Sequence, residues 1–319
     1  MTQIGAPKLE PINIGTEAKP PFAVRPDPST LFLKRAQRLH KLAPGHELGD
    51  YLLFVAALCR LQSNIAAAGA SVTLPSPDRL ALARQGAMPP LARGGFDLGG
   101  SFKTTLDRLL AAIVSAGEPM PEQAKEAARA LAACTAADLH SAIEAVYADD
   151  IARGGVAETV LLAAALQIHF TQLAAAIDAE QLQPVADGVC PACGAPPVAS
   201  AVVGWPSAQN TRFCICSLCA TQWNVVRVKC VTCGSTGGIS YHALDGQPDT
   251  IKGETCQSCK SYVKIFYQVN DPALDPVADD VATLALDLKL AQEGWTRRGV
   301  NIFLTGYASP SSAPADETA

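Results

Sequence analysis

Charge is scarce in this chain. Asp, Glu, Lys and Arg make up 17% of its 319 residues, and the hydrophobic fraction is 49%. Ordinary soluble domains carry about 25% charge. A disordered chain has the opposite balance, rich in charge and poor in apolar groups, and is excluded. Neither sign dominates: 25 bases face 30 acids, for a net charge of -5. No global field therefore draws the protein to nucleic acid. Glycine (24) and proline (23) are too few and too scattered for a low-complexity chain. Long apolar runs are lacking as well. The most apolar stretch, residues 160–177, is interrupted by Gln167, His169, Thr171 and Gln172, whereas a membrane span needs about 20 nearly unbroken apolar residues. The N-terminus, Met1 to Pro7, has neither the basic nor the apolar region of a signal peptide. The expectation is a cytoplasmic protein without membrane insertion, in a compartment that keeps thiols reduced.

Enzyme signatures are missing too. The sequence contains no G-x-G-x-x-G opening a helix, no G-x4-G-K-[ST], no H-E-x-x-H and no G-x-S-x-G. Asp149-Asp150 and Asp279-Asp280 are paired acids, but sequence neighbours point to different faces of a helix, so both pairs read as solvated surface. No catalytic or cofactor-binding residue is expected.

What is present falls into two regimes. Residues 1–24 carry four prolines without a sustained period and read as a flexible arm. Asp27-Pro28-Ser29-Thr30 then offers a helix cap, and helical patterns follow at 31–39, 48–68, 102–115, 121–133, 136–148 and 157–177, with a turn-rich stretch at 71–100. Residues 25–184 thus read as an all-α domain. From about 185 to 270 the chain turns to Cys, Val, Thr and aromatics, with β-type runs at 223–228 and 262–267. A C-terminal helix is expected over 277–293, within a segment 271–307, ahead of a Ser/Pro/Ala-rich, disordered tail at 308–319.

Nine of the eleven cysteines lie between 190 and 259, and eight of them form four C-x2-C pairs: Cys190/Cys193, Cys216/Cys219, Cys230/Cys233 and Cys256/Cys259. A shift of 40 residues superposes the first two pairs on the last two, Gly194 on Gly234 and Ser200 on Ser240. The module is an internal duplication of one C-x2-C-x22-C-x2-C unit. Two cysteines separated by two residues wrap a tight turn, and a glycine after the second permits its left-handed backbone. Two facing knuckles present four thiolates in a tetrahedron, suited to Zn2+ or a single iron. Spacing alone also leaves a four-cysteine iron–sulfur cluster open. The 40-residue repeat favours each unit closing on its own four ligands, which gives two metal ions per chain. Because the module holds few large apolar residues, it is expected to depend on metal for folding while the helical domain does not. Cys214, whose counterpart is Glu254, reads as a spare thiol. Cys59 and Cys134, within helical patterns, read as small buried hydrophobes. His169 reads as a core residue, and His242 as a bystander to a completed site.

These residues resemble the FdhE-type formate dehydrogenase accessory proteins. The resemblance is carried by Cys190-Pro191-Ala192-Cys193-Gly194, Cys216-Ser217-Leu218-Cys219 and Trp223 to Cys230, then by Ile265-Phe266-Tyr267-Gln268 with Asp271-Pro272 and Val277-Ala278-Asp279-Asp280. Arg25-Pro26-Asp27-Pro28, Leu48-Gly49-Asp50-Tyr51-Leu52 and the run near Asn301-Ile302-Phe303 extend it over residues 22–304. It implies a cytoplasmic assembly factor that binds the catalytic subunit of respiratory, molybdenum-dependent formate dehydrogenase before export by the twin-arginine route. It further implies a rubredoxin-like, iron-associated module whose metal ligands are Cys190, Cys193, Cys216, Cys219, Cys230, Cys233, Cys256 and Cys259. Iron in two mononuclear sites is the first expectation through the family, with zinc as the alternative. The expected fold class is α+β and multidomain: an all-α N-terminal domain, two tandem rubredoxin-like or zinc-ribbon-like knuckle units, and a C-terminal helix. Two rival functions stand beside it, a rubredoxin-like electron carrier and a zinc-ribbon nucleic-acid binder. Against the latter, Arg212, Arg227, Lys229 and Lys252 nearly balance Asp245, Asp249 and Glu254 across the module, which leaves no basic stripe. A partner surface is expected on one of the two β-runs.

Overall fold

The computed structural model describes residues 20–69, 72–93, 100–148, 155–244, 246 and 249–304. Asp149, Asp150 and the tail beyond 304 lie outside the described residues, as does most of the arm. Helices α1 (Leu31–Leu42), α2 (Gly49–Ala67), α3 (Pro77–Gln85), α4 (Gly100–Ser115), α5 (Glu122–Ala132), α6 (Ala136–Ala148) and α7 (Val156–Ala176) build the N-terminal half. Helix α7 is apolar on every face because it is the bundle's axis, packed by α2, α4, α5 and α6. It is long and apolar enough to cross a membrane, yet 89% of its most apolar window is buried inside the fold. His169 sits in this helix between the rings of Phe102 and Phe170, as expected for a core residue. The structure of the last arm residues differs from the expectation. Ala23–Val24 form β1, which pairs antiparallel with a strand two hundred residues away.

The remaining strands are β2 (Pro197–Val203), β3 (Thr211–Cys216), β4 (Gln222–Val225), β5 (Ile239–His242), β6 (Ile251–Cys256), β7 (Ser261–Phe266) and β8 (Thr296–Arg297). They form one sheet in the order β1-β4-β3-β2-β7-β6-β5, with β8 also on β7. The duplication is visible in its pairing. Cys214 faces Trp223 in β3/β4, and their 40-residue counterparts Glu254 and Val263 face each other in β6/β7. The two units join through a parallel pairing of β2 with β7, Ser200 to Ile265 and Ala201 to Phe266. Strand β2 thus covers for the second unit the edge that β1 covers for the first, which blunts edges that would otherwise template aggregation.

The expectation that the cysteine module is poor in core does not hold. Val198, Val202, Phe213, Ile215, Tyr262, Ile265 and Phe266 are all buried, and β2 and β7 are buried along their whole length. One apolar cluster runs from Phe32, Leu58 and Phe102 in the helices through Leu166 and Phe170 to Phe213, Val263 and Phe266 in the sheet. The first unit therefore shares its core with the helices, and β7 cannot be the partner surface.

Asp279 and Asp280 are not solvated. They lie on a two-part C-terminal helix, α8 (Ala278–Ala282) and α9 (Leu284–Gln292), broken at Thr283 where one helix was expected. Both carboxylates are buried, and they point opposite ways. Asp279 takes a two-pronged hydrogen bond from Arg38 of α1 (2.6 and 2.9 Å), while Arg35 pairs with Asp275 at 3.3 Å. Burial raises the Asp279 pKa. Asp280 faces the sheet, where Lys264 of β7 (3.0 Å) and Arg297 of β8 (2.6 Å) reach it. Burial opposes its charge, but those two cations outweigh burial and hold its pKa below the usual carboxylate value. Asp287 completes a neutral quartet, 2.5 Å from Lys264, paired with Arg297 and bonded by the Tyr262 hydroxyl at 2.8 Å. Different faces of α8 thus meant different partners, α1 on one side and β7 on the other.

Removing one charge from such a quartet strands the others in a medium that cannot solvate them, at a cost of about 3–5 kcal/mol. Asp280→Ala should show this loss in urea unfolding. Lys103→Ala, from a pair whose side chains are each 51% exposed, should cost under about 1 kcal/mol. A second expectation concerns acid. Burial pushes the His169 pKa down to about 4, whereas an unfolded imidazole protonates near pH 6.5. Its contribution is whole above pH 6.5 and is lost as pH falls toward 4, amounting to about 2–3 kcal/mol by pH 4.5. His169→Leu should lose correspondingly less stability between pH 7 and 4.5; an equal loss in both proteins would contradict the assignment.

Candidate metal centres

The knuckles form for local reasons. In the first, Cys190 O accepts the Gly194 amide (2.9 Å) and Ala195 O accepts the Cys190 amide (2.9 Å). Counterpart bonds close the turn after Cys230, from Gly234 N at 3.0 Å and to Ser235 O at 2.8 Å. Gly194 and Gly234 take the expected left-handed backbone, φ +78 and +75. The other two knuckles need the same geometry and have no glycine: Ala220 and Lys260, each directly after the second cysteine, sit at φ +57 and +52. The side-chain cost of that conformation is accepted in half of the turns. A further repeat-wide feature escaped the sequence reading. Thr221 and Ser261, two residues past Cys219 and Cys259, place hydroxyls 3.2 and 2.9 Å from those sulfurs. The 40-residue shift superposes them, which was the available signal.

All eight expected cysteines come together, four by four and without crossing between units. Cys190, Cys193, Cys216 and Cys219 form one cluster, and Cys230, Cys233, Cys256 and Cys259 the other. Sulfur–sulfur distances are 3.6 Å (Cys190–Cys219) and 3.4 Å (Cys193–Cys216) in the first, and 3.7 Å (Cys230–Cys259) and 3.8 Å (Cys233–Cys256) in the second. A tetrahedron with metal–sulfur bonds of about 2.3 Å has sulfur–sulfur edges of about 3.8 Å. Both donor sets fit a single tetrahedral ion.

Electrostatics give the same answer. Burial pushes the Cys190 and Cys193 thiols well above their usual range. Cys216 goes down instead: burial opposes its charge, but hydrogen bonds from the other three thiols and from the Cys219 amide favour it. In the second cluster burial drives Cys230 to about 12, whereas Cys256, the counterpart of Cys216, is lowered to about 7 by the amides of Cys259 and Ser258 against the burial effect. Each cluster thus favours one thiolate and resists charge on Cys190 and Cys193, or on Cys230 and Cys233. A cation at the centre removes that resistance and lets all four ionise. Four sulfur ligands leave no open coordination position, so such an ion acts structurally or passes single electrons.

The surroundings of the two clusters differ. The first is fully buried under the helices: Ala192 O accepts the Leu91 amide at 2.8 Å, Gly194 O accepts from Arg93, and Gln167 of α7 bonds Ser217 O at 2.7 Å. The second leaves Cys233 exposed and Cys259 half-buried. A buried ion pair, Arg212 to Glu254 at 2.8 Å, ties the units together, with Ser200 bonding the same guanidinium. None of these contacts was legible beforehand. Cys214 and Cys59 stay outside the clusters, and burial drives both thiols to about 12. Cys134 is exposed rather than buried, because it falls just past the end of α5 and faces away from the core. His242 bonds Thr255 Oγ1 at 3.0 Å and is not among the residues of either cysteine cluster.

Three family models match: FdhE, N-terminal, over residues 20–187; FdhE, central domain, over 189–227; and FdhE, C-terminal domain, over 228–304. The last two meet between the two cysteine units. The chain is 42% identical to a "Protein FdhE homolog" of Rhizobium meliloti over 93% of this chain and 97% of that one. It is 33% identical to "Protein FdhE" of Escherichia coli over 86% and 88%. The crystal structure of the FdhE protein from Pseudomonas aeruginosa superposes with a TM-score of 0.81 at 34% identity, covering 89% of this chain and 98% of that chain.

The left-handed turns are testable. Gly194→Ala should lower stability by about 1–2 kcal/mol, since its Cβ would also lie 3.2 Å from Pro89 Cγ. Ala220→Gly, relieving the same conformation, should be neutral or stabilising by up to about 1 kcal/mol. Thermal unfolding of the metal-loaded proteins reads both, and a neutral Gly194→Ala would contradict the strain argument.

Proposed function

The chain belongs to the FdhE family, and on that footing we propose that it is a non-catalytic maturation factor for formate dehydrogenase. It binds the catalytic subunit of the respiratory, molybdenum-dependent enzyme in the cytoplasm, ahead of export. Cys190, Cys193, Cys216 and Cys219 hold one metal ion and Cys230, Cys233, Cys256 and Cys259 a second, with iron the first choice and zinc the alternative. The observation that carries the reading is the paired four-sulfur geometry, complete in a chain that matches the family along nearly its whole length. Closed tetrahedral sites shape loops; they do not turn over substrate.

The partner surface is best sought on the segment after β4. Val226 and Val228 are 62% and 49% exposed there, between the two centres. Val226 lines a groove of about 300 Å3 together with Phe22, Val185, Trp223 and Val231. Exposed apolar side chains beside a concave, partly apolar wall suit a protein partner.

The experiment is a pull-down of the catalytic subunit with purified variants, alongside formate dehydrogenase activity in cells. Val226→Asp with Val228→Asp should keep the fold and both ions and weaken capture at least tenfold. Cys230→Ser with Cys233→Ser should weaken it as well, by releasing the loop that displays those valines. Capture at wild-type strength by both variants would reject the metal-shaped platform.

A further inference from the structure

The duplicated centres share geometry but not environment. In the first, every cysteine is at most 2% exposed. Its knuckle at 190–194 lies under Pro89, Leu91 and Arg93, and its knuckle at 216–219 is bonded by Gln167 of the central helix. These sulfurs belong to the same apolar cluster as the helical core. An incoming ligand can reach them only if the helices part from the sheet, which approaches global unfolding in cost. In the second centre the Cys233 side chain is open to solvent and Cys259 is half open. The start of its 230–234 knuckle is anchored, by Arg212 on Lys229 O at 3.2 Å, by the surface pair Lys229 to Asp187 and by buried Val231, but Cys233 and Cys259 lie on the open side of the site, away from these anchors. Strand β5, which pairs with the Cys256 end of β6, is the outermost of the sheet path and carries no fully buried residue. Detaching Cys233 and Cys259 leaves the buried Val231 anchor in place, so it costs far less than parting the helices from the sheet.

We infer that the second centre is an exchange site, whose metal passes to and from external thiol or chelator ligands, while the first retains its ion as long as the protein stays folded. Exchange is ligand substitution without redox change. The sulfur of an incoming thiol bonds the metal as the Cys233 Sγ–metal bond breaks, and the incoming thiol's proton ends on the released Cys233. Cys259 follows in the same way, and the two deeper ligands, Cys230 and Cys256, leave last. The duplication then yields two functions from one motif, a staple in the core and a loading position at the surface. This rests on both clusters holding metal and is independent of any partner.

The test uses the full chain loaded anaerobically with Zn2+, its content measured first. Fewer than two ions per chain would overturn the metal reading itself. With two ions bound, excess 4-(2-pyridylazo)resorcinol should release one ion at least ~100-fold faster than the other, the slow phase coinciding with loss of helical circular dichroism. Alkylation during the challenge, read by mass spectrometry, should mark Cys233 and Cys259 in the fast phase and Cys190, Cys193, Cys216 and Cys219 only in the slow one. Cys233→Ser should abolish the fast phase and leave one tightly held ion. Release of both ions at one rate, or labelling of the first cluster's cysteines in the fast phase, would overturn the exchange assignment while leaving the metal reading intact.

Discussion

Four thiols crowded within bonding distance of one ion cannot all carry charge unless a cation sits among them. That constraint organises the chain. Each cluster favours one thiolate, Cys216 or Cys256, and pushes up two others, Cys190 and Cys193 or Cys230 and Cys233. In the first centre the constraint reaches far, because the same turns that aim the sulfurs also accept the Leu91 amide and the Gln167 side chain. An ion held there would be coordinated by turns that also dock the helices on the sheet. Metal ligation in sites of this kind is coupled to folding.

The duplication has been put to unequal use by changes at a few equivalent positions. Cys214 and Glu254 are counterparts, as are Arg212 and Lys252, and Asn224 and Lys264. In the first unit Arg212 is buried and reaches across to Glu254 of the second. In the second unit Lys264 is buried and turns instead to Asp280 and Asp287. A chain with little charge thus spends part of it inside, in closed groups that balance to neutrality. Such groups contribute modestly to stability, but a misdocked arrangement would leave charges stranded. Asp275 and Asp279 fix α8 on α1, and Asp280 and Asp287 fix it and α9 on β7 and β8. The C-terminal segment is thereby a clasp between the helical half and the sheet.

Local features were legible without any structure. The C-x2-C spacing, the 40-residue repeat and the need for Gly194 and Gly234 all depend on a few consecutive residues whose backbone geometry follows from chemistry alone. Helices α1 to α7, α3 excepted, follow periodicities that can be read directly. The clustering of the cysteines four by four follows from spacing too, because a knuckle pair closing on itself needs no distant element. The left-handed backbone of Ala220 and Lys260 could not be read, since nothing about an alanine or a lysine announces φ above zero. Only the repeat, applied to backbone rather than to residue type, would have pointed there.

Burial was the quantity that only the tertiary structure decided. Asp279-Asp280 looked like surface because paired acids usually are; the outcome turned on α1 and β7 arriving from opposite sides with Arg38 and Lys264. Cys134 read as a small buried hydrophobe because it was placed within a helical pattern, but α5 ends at Ala132 and the thiol is exposed. The two cysteine units are near-equivalent as strings and differ in solvent access because 89–93 and α7 cover only one of them. Ligand identity and spacing are written in the chain because sulfur–metal geometry is short-range. Which centre is sealed and which is open depends on contacts between residues a hundred positions apart, and those are set by how apolar faces and buried charges find each other when the whole chain packs.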